Sequence, residues 1–253
     1  MRVSLVFRSV CFLLSSVALG QAQGVQPGGD PFSGPDFQAL VRKADPLSPQ
    51  ESLKAFSVPD GFRMELIAAS PNIGQPMNLA FDERGRLWVT STLEYPYPAP
   101  LGRPGRDTIK ILEDTNGDGA YDKISLFADG LNIPTGLYPY KDGVIAWSIP
   151  NIWFLRDTDG DGRADKREKL YGPLGYERDT HGMHSSFTRG LDGWLHLTHG
   201  FNNNTTVTAA DGSSITMNSG NTYRVQPDGL SVEQFTFGQV NPFGMCLDTF
   251  GNF

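Results

Sequence analysis

The stretch His181-Gly-Met-His-Ser-Ser-Phe-Thr-Arg-Gly-Leu-Asp-Gly-Trp-Leu-His-Leu-Thr-His199 contains all 4 histidines of the chain. Its second half, Ser186–Leu197, reads as an apolar strand, an Asp-Gly turn and a second apolar strand. A turn pair that tolerates positive φ, flanked by strand-forming residues, is the signature of a β-hairpin. Three other segments repeat it: Asn78-Leu-Ala-Phe-Asp-Glu-Arg-Gly-Arg-Leu-Trp-Val89, Gly136-Leu-Tyr-Pro-Tyr-Lys-Asp-Gly-Val-Ile-Ala-Trp147 and Phe243-Gly-Met-Cys-Leu-Asp-Thr-Phe-Gly-Asn-Phe253. The turn glycines, Gly85, Gly143, Gly193 and Gly251, follow one another at 58, 50 and 58 residues.

Two further strand-like runs stand between successive turns. They are Thr108–Leu112 and Lys123–Ala128, then Ile152–Arg156 and Lys166–Tyr171, then Asn221–Val225 and Ser231–Phe237. Four strands per unit at this period predict an all-β chain, a β-propeller of four-stranded blades. The count gives three blades and the start of a fourth. Propellers close with about 4–8 blades, so the expectation is an incomplete ring and a fragment of a longer protein. Phe62–Ala69 reads as an outermost strand standing ahead of the first blade, with no complete blade of its own to join.

Composition agrees with one globular domain. The chain has 253 residues, 39% of them apolar, with 29 Gly and 18 Pro for tight turns. A net charge of −7 without any basic run argues against a nucleic-acid partner. Residues 1–22 read as a signal peptide: Arg2 and Arg8 precede the apolar Val10–Leu19, and small residues follow at Ala18–Ala22. The apolar run is too short for a transmembrane span. The expected location is therefore secreted or periplasmic. Residues 23–55 read as a linker or arm, with Phe37–Lys43 its one helix-like patch, and the propeller is expected over 56–253. Cys11 falls in the signal, and Cys246, between Met245 and Leu247, reads as a buried, inert thiol.

Two acidic loops share the pattern D-x-[DN]-x-D-G-x-x-D. One offers Asp114, Asn116, Asp118 and Asp122, and the other Asp157, Asp159, Asp161 and Asp165. Alternating oxygen ligands around a glycine suit Ca²⁺. Tight turns whose Asp and Asn side chains cap their own backbone give the same pattern. In a meander these loops and the Asp-Gly turns fall on one face, and the remaining connections on the other. That second face collects the candidate site. The long Pro-rich loop Ser91–Asp107 offers Tyr95, Arg103 and Arg106, the segment Tyr176–His184 offers Arg178, Asp179, His181 and His184, and the third loop offers His199, Asn202 and Asn203. The histidines suit a general base oriented by Asp179 or Asp192, or metal ligation by His181 and His184, with His199 as a third candidate ligand. His196 and His199 also suit turn and strand residues satisfied by backbone groups, and His196 alternates with Leu195 and Leu197. Together these residues predict a small-molecule or glycan substrate, with His181, His184 and Asp179 catalytic and Tyr95, Arg103, Arg106, Arg178, His199, Asn202 and Asn203 binding.

Val58-Pro-Asp-Gly-Phe62, Gly117-Asp-Gly119, Ile133-Pro-Thr-Gly-Leu137, Thr180-His-Gly-Met-His184, Asp192-Gly-Trp194 and His199-Gly-Phe-Asn-Asn203 resemble the N-terminal propeller of the membrane-bound dehydrogenase domain of PVC-type bacteria. The resemblance runs from about Phe56 to Phe253 and extends distantly to soluble glucose/sorbosone dehydrogenases. It implies an oxidoreductase that oxidises a sugar or alcohol, with pyrroloquinoline quinone (PQQ) and Ca²⁺ as the relatives' cofactors and His181 as the base. It also implies a haem c domain carrying CxxCH, a motif this chain lacks, and a cytochrome c-type electron acceptor. The other reading is a non-catalytic propeller that binds glycans or a protein through Tyr95, Tyr97, Phe201 and Asn202–Asn204.

Overall fold

The computed structural model describes residues 45–253 apart from Leu101 and Ser219. The expected signal peptide and the Phe37–Lys43 patch lie outside the described residues. The elements below all belong to one compact unit, Pro49–Phe253. It opens with a short helix, α1 (Pro49–Ala55), inside the stretch expected to be a linker. Its sequence signal is Ser48-Pro-Gln-Glu51, a capping-box pattern with proline at the first helical position.

Everything else regular is β-structure. Strands β1 (Gln75–Phe81), β2 (Leu87–Thr92), β3 (Asp107–Glu113) and β4 (Lys123–Leu131) form an antiparallel sheet in chain order. Strands β5 (Leu137–Tyr140), β6 (Gly143–Ser148), β7 (Asn151–Arg156) and β8 (Lys166–Tyr171) repeat it. The third sheet pairs β9 (His184–Arg189), β10 (Leu195–His199), β13 (Gly220–Val225) and β14 (Val232–Gln239). A separate hairpin, β11 (Thr205–Thr208) with β12 (Ser214–Met217), is inserted between β10 and β13. Across sheets, β5 contacts both β1 and β9, so the first strands of the three sheets are neighbours.

The repeated turn has a common mechanism. Asp82 Oδ1 accepts the backbone N–H groups of Arg84 and Arg86, each at 3.0 Å, and Gly85 takes φ of 77°. Asp248 receives Phe250 and Asn252 in the same way, with Gly251 at 89°. The second repeat differs. Gly143 begins β6 at ordinary φ, and a Cβ there would stand 1.9 Å from the Leu155 carbonyl oxygen, so close backbone approach is what demands glycine.

The cores lie between sheets, and strand alternation divides them. On β6, Val144 and Ala146 face a cluster with Trp88, Ile109, Phe127 and Leu155. Its other face sends Ile145 and Trp147 into a cluster with Ile152, Leu195, Leu197 and Tyr223. β6 is therefore buried along its whole length, as a strand with cover on both sides must be. On β2, Trp88 joins the first cluster, while Leu87 and Val89 turn the other way toward Leu112, Ala68 and Ile73.

Two segments expected to be β-structure form no strand among the described residues. Phe62–Ala69 pairs with nothing as a strand, and Phe62, Met64, Leu66 and Ile67 are exposed. Phe243–Phe253 makes its Asp-Gly turn without flanking strands, and Phe250 is 87% exposed. Cys246 is consequently exposed rather than buried, because no neighbouring strand covers the run around it.

Candidate functional site

The antiparallel order puts the connections 93–106, 132–136 and 172–183 at one end of the sheets. The long loop 93–106 is built on two buried carboxylates. Asp107, 1% exposed at the start of β3, accepts from Thr92 Oγ1 at 2.9 Å, the N–H of Leu93 at 2.6 Å, the N–H of Glu94 at 3.1 Å and the N–H of Ile133 at 2.7 Å. It ties both ends of the loop to the start of the second sheet. Glu94, 5% exposed, receives Arg103 at 3.0 Å and Arg106 at 3.0 Å. The Arg106 hydrogen bond, opposed by burial and reinforced by Arg103, holds the Glu94 carboxyl below the usual carboxylate range. Arg103 and Arg106, expected to bind substrate, thus brace their own loop.

Facing it, Tyr176–His181 is fixed by Asn203. This buried amide accepts the N–H groups of Arg178 and Asp179, each at 3.2 Å, and donates to the Asp179 carbonyl at 2.5 Å. Thr180 Oγ1 then donates to the Pro96 carbonyl at 2.7 Å, joining the segment to the long loop. Between the two lies an open groove of about 540 Å³ lined by Pro96, Tyr97, Pro98, Arg178, Asp179 and His181, among others.

His181 is the exposed histidine at this end. Its Nδ1 sits 2.9 Å from Asp179 Oδ1, and its own N–H donates to the same oxygen at 2.7 Å. The Tyr95 ring meets the imidazole edge-on at 5.2 Å between centroids. An imidazole whose Nδ1 is anchored by a carboxylate presents Nε2 outward, the arrangement of an oriented general base. Of the two carboxylates expected to orient a histidine, Asp179 therefore serves His181, whereas Asp192 lies at the opposite end, 3.1 Å from His196 Nε2.

The structure does not bring the other two histidines to this groove. His184 is the first residue of β9 and His199 the last of β10, directly paired, and both are 0% exposed. The His184 ring packs against Trp147, His199 and Tyr223, with Nδ1 2.6 Å from the Tyr223 hydroxyl. Burial, with a smaller contribution from His199, pushes the His184 imidazole well below its ordinary value. His199 Nε2 lies 3.2 Å from Thr205 Oγ1. His184 and His199 thus belong to the core, not to the loops where they were expected. Asn202, at φ of 79°, is exposed beside the buried Asn203. Sequence reasoning missed the roles of Glu94, Asp107 and Thr180. The signal available was polar residues immediately flanking a Pro-rich insertion.

The acidic loops occupy the other end. Asp157 Oδ1 accepts from Gly160 N–H at 2.7 Å and Oδ2 from Gly162 N–H at 2.9 Å, while Asp165 receives both the N–H and the hydroxyl of Thr158. Asp114, Asn116, Asp118 and Asp122 repeat these bonds in the first loop. The loops are self-capped turns as they stand. In the second, carboxylate oxygens of Asp157, Asp159 and Asp161 lie within 4.8 Å of one another, close enough to share a cation.

Residues 48–253 match a family described as Domain of unknown function (DUF7133). The chain belongs to that family. Comparison with curated proteins found no match. No helix among the described residues of this DUF7133 chain is long and apolar enough to cross a membrane.

The groove of the DUF7133 domain can be tested against the cofactor its resemblance implies. PQQ carries three carboxylates and calls for several free cations. Arg103 and Arg106 are committed to Glu94, which leaves Arg178 beside Glu177 and Asp179. The described residues of the groove do not fit such a polyanion.

Proposed function

We propose that the sheets are blades of an extracytoplasmic β-propeller whose groove at Pro96–Pro98 and Tyr176–His181 binds a hydroxylated small molecule, a sugar or an alcohol. The propeller reading rests on three sheets of identical strand order with neighbouring first strands. The extracytoplasmic reading rests on the sequence of residues 1–22.

The observation that carries the site is the Asp179–His181 pair beside Tyr95. Tyrosine rings give a sugar an apolar face to lie on, and Arg178 and Asp179 offer polar partners. His181 Nε2 takes the hydroxyl proton, which is the proton half of an alcohol oxidation, and Asp179 stabilises the resulting imidazolium. This fits the dehydrogenase resemblance. The carbon-bound hydride would pass to a two-electron acceptor, an uncharged quinone entering the open groove, which a haem c domain would then reoxidise one electron at a time.

One observation favours a second reading, a non-catalytic glycan- or protein-binding propeller: the groove is open, and the loop arginines 103 and 106 are spent on Glu94 rather than turned to it. Sugar- and alcohol-dependent dye reduction, with and without added PQQ, separates the two. Turnover that falls at least about 100-fold in His181→Ala, as expected for loss of a general base, supports the enzyme. Glycan binding that survives His181→Ala without any turnover supports the binder.

A further inference from the structure

At the end of the sheets away from His181, the turn Asp82–Arg86 and the β5–β6 corner enclose a second groove of about 600 Å³. This volume lies within the range of about 300–1,000 Å³ typical of small-molecule sites. Its charges are unevenly satisfied. The Asp82 carboxylate is fully engaged, by the N–H groups of Arg84 and Arg86, by Arg86 Nε at 2.7 Å and by Trp88 Nε1 at 2.9 Å. Arg86 is thereby paired as well, and it also reaches Glu113 at 3.7 Å.

Arg189, at the end of β9, is different. It lines the groove, is only partly exposed, and its Nη1 is buried without a hydrogen-bond partner. A guanidinium nitrogen removed from water and left unpaired is costly, and a side-chain shift that turns the Arg189 guanidinium toward an anion in the groove relieves that cost. Among the described residues, Arg84 and Lys141 line the same groove outside any ion pair, although Asp142 stands close enough to Lys141 to feel its charge, and the groove's one acid outside an ion pair is Glu83. Three unpaired cations to one anion is a local excess of positive charge on a chain of net charge −7. The Tyr138 and Tyr140 rings form one wall, 6.4 Å apart between centroids, with Lys141 Nζ 4.8 Å over the Tyr140 ring.

We infer that this second groove is a binding site for a carboxylated sugar, with Arg189 receiving the carboxylate and Tyr138 and Tyr140 lying along the sugar ring. The planar fork of arginine matches a carboxylate in two parallel hydrogen bonds, which a point cation does not. Tyrosine supplies both an apolar face and a hydroxyl for the ring. The site shares no residue with the Asp179–His181 groove, so it stands or falls independently of the function proposed there.

Titration calorimetry of the protein with glucuronate, glucose and acetate tests it. Glucuronate separates charge plus ring from ring alone and charge alone. The expected result is saturable glucuronate binding, at least ten-fold weaker for glucose and for acetate, and weakened by added salt as exposed ion pairs are. Arg189→Gln, checked for an unchanged melting temperature, is expected to lose ten-fold or more. Should that variant fold poorly, the surface change Lys141→Gln decides instead, with an expected loss of a few-fold. Absence of glucuronate binding, glucose binding as tightly as glucuronate, or wild-type affinity in the folded Arg189→Gln variant overturns the inference.

Discussion

His184 Nδ1 lies 2.6 Å from the Tyr223 hydroxyl, and neither residue exposes any surface. The pair stitches β9 to β13 across β10 and packs against Trp147 of the second sheet. The Tyr223 hydroxyl and His184 Nδ1 each supply the other's partner in the main core, while His184 Nε2 is buried there without one. Tyr223→Phe keeps the packing but leaves Nδ1 unpaired. It should cost about 1–3 kcal/mol, the penalty of a buried polar group without its hydrogen bond, measured by chemical denaturation.

The same burial makes stability depend on pH. His184 is held neutral in the fold, its imidazole lowered by burial and then by His199. The unfolded chain takes up the proton near pH 6.5, before the folded chain can. The contribution of His184 is therefore fully present above about pH 6.5 and is lost as pH falls below it, at up to about 1.4 kcal/mol per pH unit. Melting temperature should be flat from pH 7 to 8 and fall between pH 6.5 and 5. His184→Gln should flatten that slope while lowering the plateau. A slope unchanged in His184→Gln rules out this residue as its source.

Asp107 predicts how the groove loop is held. Its carboxylate accepts four hydrogen bonds, from Thr92, Leu93, Glu94 and Ile133. Asp107→Asn turns one acceptor oxygen into a donor that faces N–H or O–H groups. The expected cost is about 2–3 kcal/mol, and loop 93–106 should become the first site of limited proteolysis. Retained protease resistance with unchanged stability contradicts that role.

The strands were legible because a hairpin turn punctuates each repeat, and alternation then fixes which residues face inward. The inserted hairpin β11–β12 escaped notice because Thr and Ser dominate it, although Thr205, Val207 and Met217 are buried in its strands. Alternation also carried the answer for His199. Leu195, Leu197 and His199 share one parity on β10, so the face that buries the leucines buries the histidine too. Ending the strand before His199 put it on a loop. The arginine clamp on Glu94 was not readable, since nothing in spacing says whether a loop arginine faces a ligand or a carboxylate of its own loop. Long-range pairings such as Thr180 with Pro96 depend on how the sheets stand together, which local pattern does not encode.

The second acidic loop is shaped in advance for a cation. Asp157, Asp159 and Asp161 approach closely enough to bind one cation, and their backbone is already curled so that Gly160 takes φ of 81° and Gly162 takes 89°. Ca²⁺ accepts several oxygen ligands at flexible geometry, and carboxylates already receiving N–H bonds keep lone pairs for it. Millimolar Ca²⁺ should raise the melting temperature by several degrees, and Asp159→Asn should weaken that shift by removing one charged ligand. Gly160→Ala should destabilise the loop with or without the ion, by about 1–2 kcal/mol for an L-residue forced to positive φ. If calcium stabilises Asp159→Asn as strongly as the wild type, the ion binds elsewhere. If it stabilises neither, the loop is a self-capped turn whose aspartates serve their own backbone.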